Sequence, residues 1–256
     1  MLEVVGLTKH YGGVRALDGV GFRIGRGELL ALIGPNGAGK STCFNIVNGQ
    51  LKPDSGHVRF AGRGAVARDI TGLAPRRIAR LGVGRTFQVA TVFGSMTALE
   101  NVQMALIAAA GRVFGLWRPA RAIARREALD LLEQTAMTAL AERPAATLAY
   151  GDVKRLELAM ALAGDPALLL MDEPTAGMSS GERGAMIALV RRLTRARGLA
   201  VLFTEHAMDV VFGHADRVVV LARGRLIASG SVAAVRDDPG VREVYLGGPA
   251  SREETP

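Results

Sequence analysis

Cysteine is nearly absent: Cys43 is the only one in 256 residues, so no internal disulfide can form and the chain suits a reducing compartment. Long hydrophobic runs are missing as well. The longest, Leu29 to Ile33, Met104 to Ala110 and Ala167 to Met171, fall far short of the roughly 18 residues that a membrane-crossing helix needs. The opening Met1-Leu2-Glu3-Val4-Val5 has no basic segment leading into an apolar stretch and a small-residue cleavage site, so a cytosolic chain without a secretory signal is expected. Aromatic residues make up only 5% of the chain, and no aromatic-interleaved basic stripe, zinc-finger spacing or RNP-like motif accompanies the net charge of +8. Nucleic acid is therefore not an expected partner. That charge suits an anionic membrane surface or simply an arginine-rich composition. What is there is an ordinary globular composition, 49% apolar and 22% charged, at a length that fits one domain or one domain with a sizeable insertion.

Strand-like runs alternate with helical ones, which predicts an α/β fold around a mainly parallel sheet. Leu2 to Leu7 and Ala16 to Ile24 read as two antiparallel strands joined at the turn Gly12-Gly13, with a second turn at Gly25-Arg26-Gly27. Leu29 to Ile33 is an uninterrupted apolar run, as in a strand buried on both faces. From about Thr97 to Ala146 the spacing turns helical, with Leu129, Leu131, Leu132 and Ala136 expected on one side. Strands return at Ala167 to Met171, Leu199 to Phe203 and Val218 to Leu221. We expect one domain over residues 1–247 with a helical insertion at about 90–160, and a mobile polar tail over 248–256.

The chemistry is carried by three segments. Gly34-Pro35-Asn36-Gly37-Ala38-Gly39-Lys40-Ser41-Thr42 fits G-x-x-x-x-G-K-[ST] between a buried strand and a helix. The glycines let backbone N–H groups converge on phosphate oxygens, Lys40 reaches the terminal phosphates, and the Ser41 hydroxyl can ligate Mg²⁺. Cys43, just inside that helix, is expected to be packed rather than reactive. Asp172-Glu173-Pro174 ends a buried strand, the edge at which open α/β sheets bind ligands. There Asp172 would hold Mg²⁺ and Glu173 would act as general base on water. His206 ends another strand and could contact the γ-phosphate.

Taken together, and in this order along nearly the whole chain, these residues resemble the nucleotide-binding subunits of ABC transporters. The resemblance implies an adenine-stacking role for Tyr11 and makes Gln88, in Arg85-Thr86-Phe87-Gln88, the Q-loop glutamine, a catalytic and Mg²⁺-contacting position. Leu148-Ala149-Tyr150-Gly151-Asp152 falls on the signature motif, Ala176 to Ser179 on the D-loop, and His206 on the switch histidine. It also implies a RecA-like P-loop core with an antiparallel β-subdomain and an inserted helical subdomain, binding ATP with Mg²⁺. Two subunits, identical or paralogous, would close head to tail, each ATP lying between one phosphate loop and the other's signature helix. Permease subunits and a periplasmic binding protein would complete an importer on the inner face of the plasma membrane.

The departures narrow the subfamily. Against the common Leu-Ser-Gly-Gly-Gln, this chain has Ala149, Tyr150 and Asp152, and its D-loop ends in Ser179 rather than aspartate. Losing one preorganised donor such as the signature hydroxyl can cost ~3 kcal/mol in catalysis. Leu-Ala-Tyr-Gly-Asp, Arg-Thr-Phe-Gln and the ending Val244-Tyr245-Leu246-Gly247 are similar to the ATP-binding subunits of bacterial importers for branched-chain amino acids and related amides. Gly111 to Arg126, with Trp117, resembles the longer insertion of one of their two ATPase types, and the arginines at 118, 121, 125 and 126 suit either a membrane surface or a solvated face. Arg63 to Arg68 is an extra stretch without an assignment. The same residues leave room for a soluble ABC ATPase acting on nucleic acid or ribosomes, or for a nucleotide-sensing regulatory subunit. Glu173 speaks against the last.

Overall fold

The computed structural model describes residues 1–86, 92–111 and 124–246. The strands are β1 (Leu2–Tyr11), β2 (Val14–Ile24), β3 (Leu29–Ile33), β4 (Ser55–Phe60), β5 (Arg68–Asp69), β6 (Val83–Arg85), β7 (Leu168–Asp172), β8 (Ala200–Thr204), β9 (Arg217–Ala222) and β10 (Arg225–Gly230). They form two sheets. One is antiparallel in the order β2-β1-β4-β5; the other runs β10-β9-β3-β8-β7-β6 and is parallel except for the β9–β10 hairpin.

Period-2 geometry explains why the central strands are apolar at every position. In β3, Leu29, Ala31 and Ile33 enter one core and Leu30 and Leu32 enter another. The same division holds for Leu169 and Met171 against Leu168 and Leu170 in β7, and for Val201 and Phe203 against Ala200 and Leu202 in β8. Both faces are covered, so no polar residue is tolerated until the carboxyl ends. Each such Leu or Val contributes about 1.5–3 kcal/mol of burial free energy.

The first core is closed by α3 (Ala98–Ala109), α4 (Arg125–Gln134), α5 (Tyr150–Leu162) and α6 (Ser180–Arg197). The second lies against the antiparallel sheet and α1 (Lys40–Val47). Reciprocal capping boxes fix the starts of α3, Thr97 with Glu100, and α6, Ser179 with Glu182. Short helices α2 (Pro75–Arg80), α7 (Met208–His214), α8 (Val232–Asp237) and α9 (Pro239–Leu246) complete the described chain.

Three expectations shift. The strands placed at Ala167 to Met171 and Leu199 to Phe203 each move on by one residue, which makes Asp172 and Thr204 the last paired residues, directly opposite one another. Ala136 does not share the α4 apolar face. The helix stops at Gln134, the Thr135 hydroxyl donates back to the Leu131 and Leu132 carbonyls, and Ala136 turns left-handed at φ 58° into solvent. Met137 takes the buried place instead, its N–H donating to Leu132 O at 2.7 Å. The extra stretch from Arg63 is the loop joining β4 to β5; it reaches across to Asp165, which pairs with Arg63 at 3.3 Å and Arg197 at 3.7 Å.

Candidate functional site

The phosphate loop leaves β3 and enters α1 through a backbone that only glycine adopts cheaply. Gly39 caps α1 at φ 101°, and a Cβ there would stand 2.5 Å from Ala16 O; at Gly34 it would stand 2.3 Å from Leu221 O. The loop is therefore pressed between β2 and the end of β9. The β9–β10 turn locks it: Gly224 N–H donates to Ala38 O at 3.2 Å, and Asp18 N–H donates to Gly224 O at 2.8 Å. Lys40 folds back along the loop, its Nζ donating to Gly34 O at 2.6 Å and Pro35 O at 3.1 Å. Burial holds the Lys40 ammonium below the usual lysine range, and the Glu173 and Asp172 carboxylates oppose that shift. Cys43 is fully buried, and burial pushes its thiol up to about 12, an inert packing residue as expected.

Asp172, Glu173 and His206 face the loop across a cleft of about 320 Å³, which Tyr11, Ala16 and the loop residues Asn36 to Thr42 also line. Thr204 organises the acids. Its buried hydroxyl donates to Asp172 Oδ1 at 2.7 Å and accepts the Glu173 N–H at 3.0 Å. Glu173 stands in the left-handed region at φ 49°, an uncommon conformation for a residue with a side chain and one that concentrates at functional sites. Its Oε1 lies 2.8 Å from His206 Nε2. Glu205, 4% exposed, ties the flanking turns together: it accepts from the Thr175 N–H, the Thr175 hydroxyl and the His206 N–H. Arg85 approaches Asp172 Oδ2 at 3.7 Å while donating to Asn45 and Gln50.

Ala149, Gly151 and Asp152 lie elsewhere, in a separate small cleft with Met178 and Glu182. Ala149 is the N-cap of α5, and it supplies no side-chain bond. Gly151 and Asp152 fall inside the first turn, because Asp152 N–H and Val153 N–H both donate to the Ala149 carbonyl.

A family model described as ABC transporter matches residues 17–176, more than half of the chain, and a second, described as branched-chain amino acid ATP-binding cassette transporter, matches residues 225–251. This chain belongs to the ABC transporter ATPases. It is 39% identical over 254 residues to the "High-affinity branched-chain amino acid transport ATP-binding protein BraF" of Pseudomonas aeruginosa, covering 96% of this chain and 98% of that one. Among solved structures, the ADP conformation of MJ1267, "an ATP-binding cassette of an ABC transporter", superposes with TM-score 0.85 at 33% identity over 97% of this chain and 99% of that one. The dimeric structure of MJ0796, described as a bacterial ABC transporter cassette, gives TM-score 0.74 at 27% identity over 91% and 99%. The expected fold is the observed one, and as an ABC ATPase the chain binds and hydrolyses ATP.

For this ABC ATPase the structure gathers Tyr11, the phosphate loop, Asp172, Glu173 and His206 around one cleft, and sets Ala149, Gly151 and Asp152 around another. Leu148 is half-buried against the core and Tyr150 is exposed. Gln88 lies outside the described residues, as do Trp117, Arg118, Arg121 and the tail from 247. Sequence reading passed over Thr204, Glu205 and Arg85 as site residues. The available signal was the same for the first two as for Asp172 and Glu173: polar residues at the carboxyl end of a run that is otherwise wholly apolar.

Proposed function

We propose that this chain is the ATP-hydrolysing subunit of an importer for branched-chain amino acids or related amides, and that two such cassettes close head to tail over ATP. The observation that carries the second part is the separation of the site residues. The phosphate loop and the acids line one cleft, and the first turn of α5 lines another. A second copy, or a paralogous cassette, turned head to tail brings its Leu148 to Asp152 segment and the positive end of α5 over the terminal phosphate held by the first. The solute assignment rests on the match over 225–251 and on the likeness to BraF.

In this reading Tyr11 stacks the adenine at the cleft rim, and the N–H groups of residues 37–42 cradle the phosphates. Lys40 exchanges its two carbonyl partners for phosphate oxygens. Water attacks the γ-phosphorus, its proton passes to Glu173, and the bond to the β–γ bridging oxygen breaks with the electron pair leaving on ADP. His206 holds Glu173 in place and donates to the γ-phosphate.

The donor set fits Mg²⁺, a hard cation that takes few protein oxygens beside phosphate. Asp172 Oδ1 is held by Thr204, and the Ser41 hydroxyl lies exposed on the same cleft. Ser41, Asp172 and Gln88 would hold the ion, which neutralises charge on the phosphate oxygens when bound. Among the described residues no helix is long and apolar enough to cross a membrane, so the chain would sit peripherally against permease subunits on the cytoplasmic face, with a periplasmic protein delivering the solute.

The test is Glu173→Gln. ATP binding should survive and hydrolysis nearly stop, and light scattering should show the mass doubling with ATP, for the chain alone or mixed with a neighbouring cassette. Wild-type turnover in this variant, or a mass that never doubles with either partner, would overturn the reading.

A further inference from the structure

Tyr150 replaces a glycine of the common signature, and its surroundings give that replacement a purpose. It is the first residue of α5 and 49% exposed, so burial does not hold it there. A Cβ built on Gly177 would stand 3.2 Å from the ring's Cε1 and 3.5 Å from Cζ and Oη, which means that the ring edge lies against Gly177, where the backbone is left-handed at φ +78°. Along its own helix Lys154 Nζ sits 5.7 Å from the ring centroid. Lys154 is itself fixed, pairing with Glu157 at 2.9 Å with the two side chains 6% and 7% exposed.

Gly177 belongs to the turn that begins at Glu173: Ala176 N–H donates to Glu173 O at 3.1 Å and Met178 N–H to Thr175 O at 3.1 Å. A second close approach lies beside it, since a Cβ on Gly151 would be 3.3 Å from Glu182 Oε1, the carboxylate that caps α6 through Ser179.

We infer that Tyr150 is a positioning residue: its ring, seated on Gly177, joins the start of α5 to the turn that carries Glu173, so that the two segments move as one body. With glycine at 150 the ring contact would vanish and the joint would rest on Gly151 and Glu182. Closure of the partner's ATP onto α5 then reaches Glu173 of the same chain through the aromatic contact, coupling one nucleotide site to the other. The inference rests on the head-to-tail site proposed above.

The test compares Tyr150→Ala with Tyr150→Phe in the full chain. Tyr150→Ala should lower kcat by about tenfold or more while moving the ATP dissociation constant of the unpaired chain by less than about twofold, because the phosphate loop is untouched. Amide hydrogen exchange should rise in residues 175–178 and stay as in wild type in β7 and β8, with an unchanged Tm. Tyr150→Phe keeps the ring and should recover most of the kcat lost in Tyr150→Ala, together with the wild-type exchange of residues 175–178. Wild-type kcat in Tyr150→Ala overturns the inference. So does an equal loss in Tyr150→Phe, which would place the role on the hydroxyl, and so does exchange rising throughout β7 and β8 with a lowered Tm, which would mean general destabilisation. Failure of the underlying reading is distinguishable: Glu173→Gln would then not pair on ATP even with Tyr150 in place.

Discussion

His206 Nε2 stands 2.8 Å from Glu173 Oε1, although the two residues close different strands and are 33 positions apart. The contact spans the carboxyl edge of the sheet because β7 and β8 are neighbours in register, Asp172 opposite Thr204. Glu173 is aimed by its left-handed backbone, and His206 reaches it from the adjacent strand end. His206→Ala should leave ATP binding near wild type and lower kcat by about 10²-fold or more, the size of effect that a lost positioning or charge-stabilising contact produces. Steady-state ATPase kinetics beside a nucleotide-binding titration check it; unchanged kcat would remove His206 from the site.

Lys40 is the phosphate loop's only side-chain cation, and it is bonded to the loop's own carbonyls at Gly34 and Pro35. Lys40→Ala should sharply weaken ATP binding and abolish turnover while preserving circular dichroism. Retained ATPase activity would refute the assignment.

Thr204 serves both acids through one hydroxyl. Thr204→Val conserves volume but leaves the Glu173 N–H without that acceptor and takes a donor from Asp172. A buried group stripped of its partner costs about 1–3 kcal/mol, so chemical denaturation should show a loss of that order, with turnover falling as well. Thr204→Ser, which restores the hydroxyl, should recover most of the turnover.

Gly224 bridges β2 and the phosphate loop. A Cβ there would stand 2.9 Å from Ala16 O, and its φ of +76° disfavours any side chain. The left-handed backbone alone costs roughly 1–2 kcal/mol for alanine. Gly224→Ala should therefore destabilise the fold and, by displacing its N–H from Ala38 O, weaken nucleotide binding. Wild-type affinity in a destabilised variant would show that the hairpin supports the fold and not the loop.

Asp54 offers a pH test away from the site. The Lys9 ammonium donating at 2.6 Å and the His10 N–H at 2.7 Å hold its carboxyl down at about 2, from 3.8. A depressed folded-state value means a contribution to stability that is present above the unfolded value and is lost as pH falls through about 2. The stability difference between wild type and Asp54→Asn should accordingly shrink across that interval. A difference that grows with acidification would reverse the sign and the explanation with it.

Much of this protein is written in local order. The phosphate loop, the wholly apolar strands and the acids that end them are contiguous patterns whose meaning follows from hydrogen-bonding and burial rules, and the order of motifs along the chain carried the family resemblance. Local order also misled at Ala136, where helical spacing continued past the point at which Thr135 turns its hydroxyl back onto the helix carbonyls. Tertiary structure alone decided which distant residues share a contact. Thr204 became the holder of two acids, Glu205 the tie between two turns, Gly224 the lock on a loop nearly 190 residues away, and Tyr150 the cover of Gly177. None of these could be read from spacing, because each depends on which strands lie side by side and how closely a helix approaches a turn. Those choices are made by the packing of both cores at once, and no single segment encodes them.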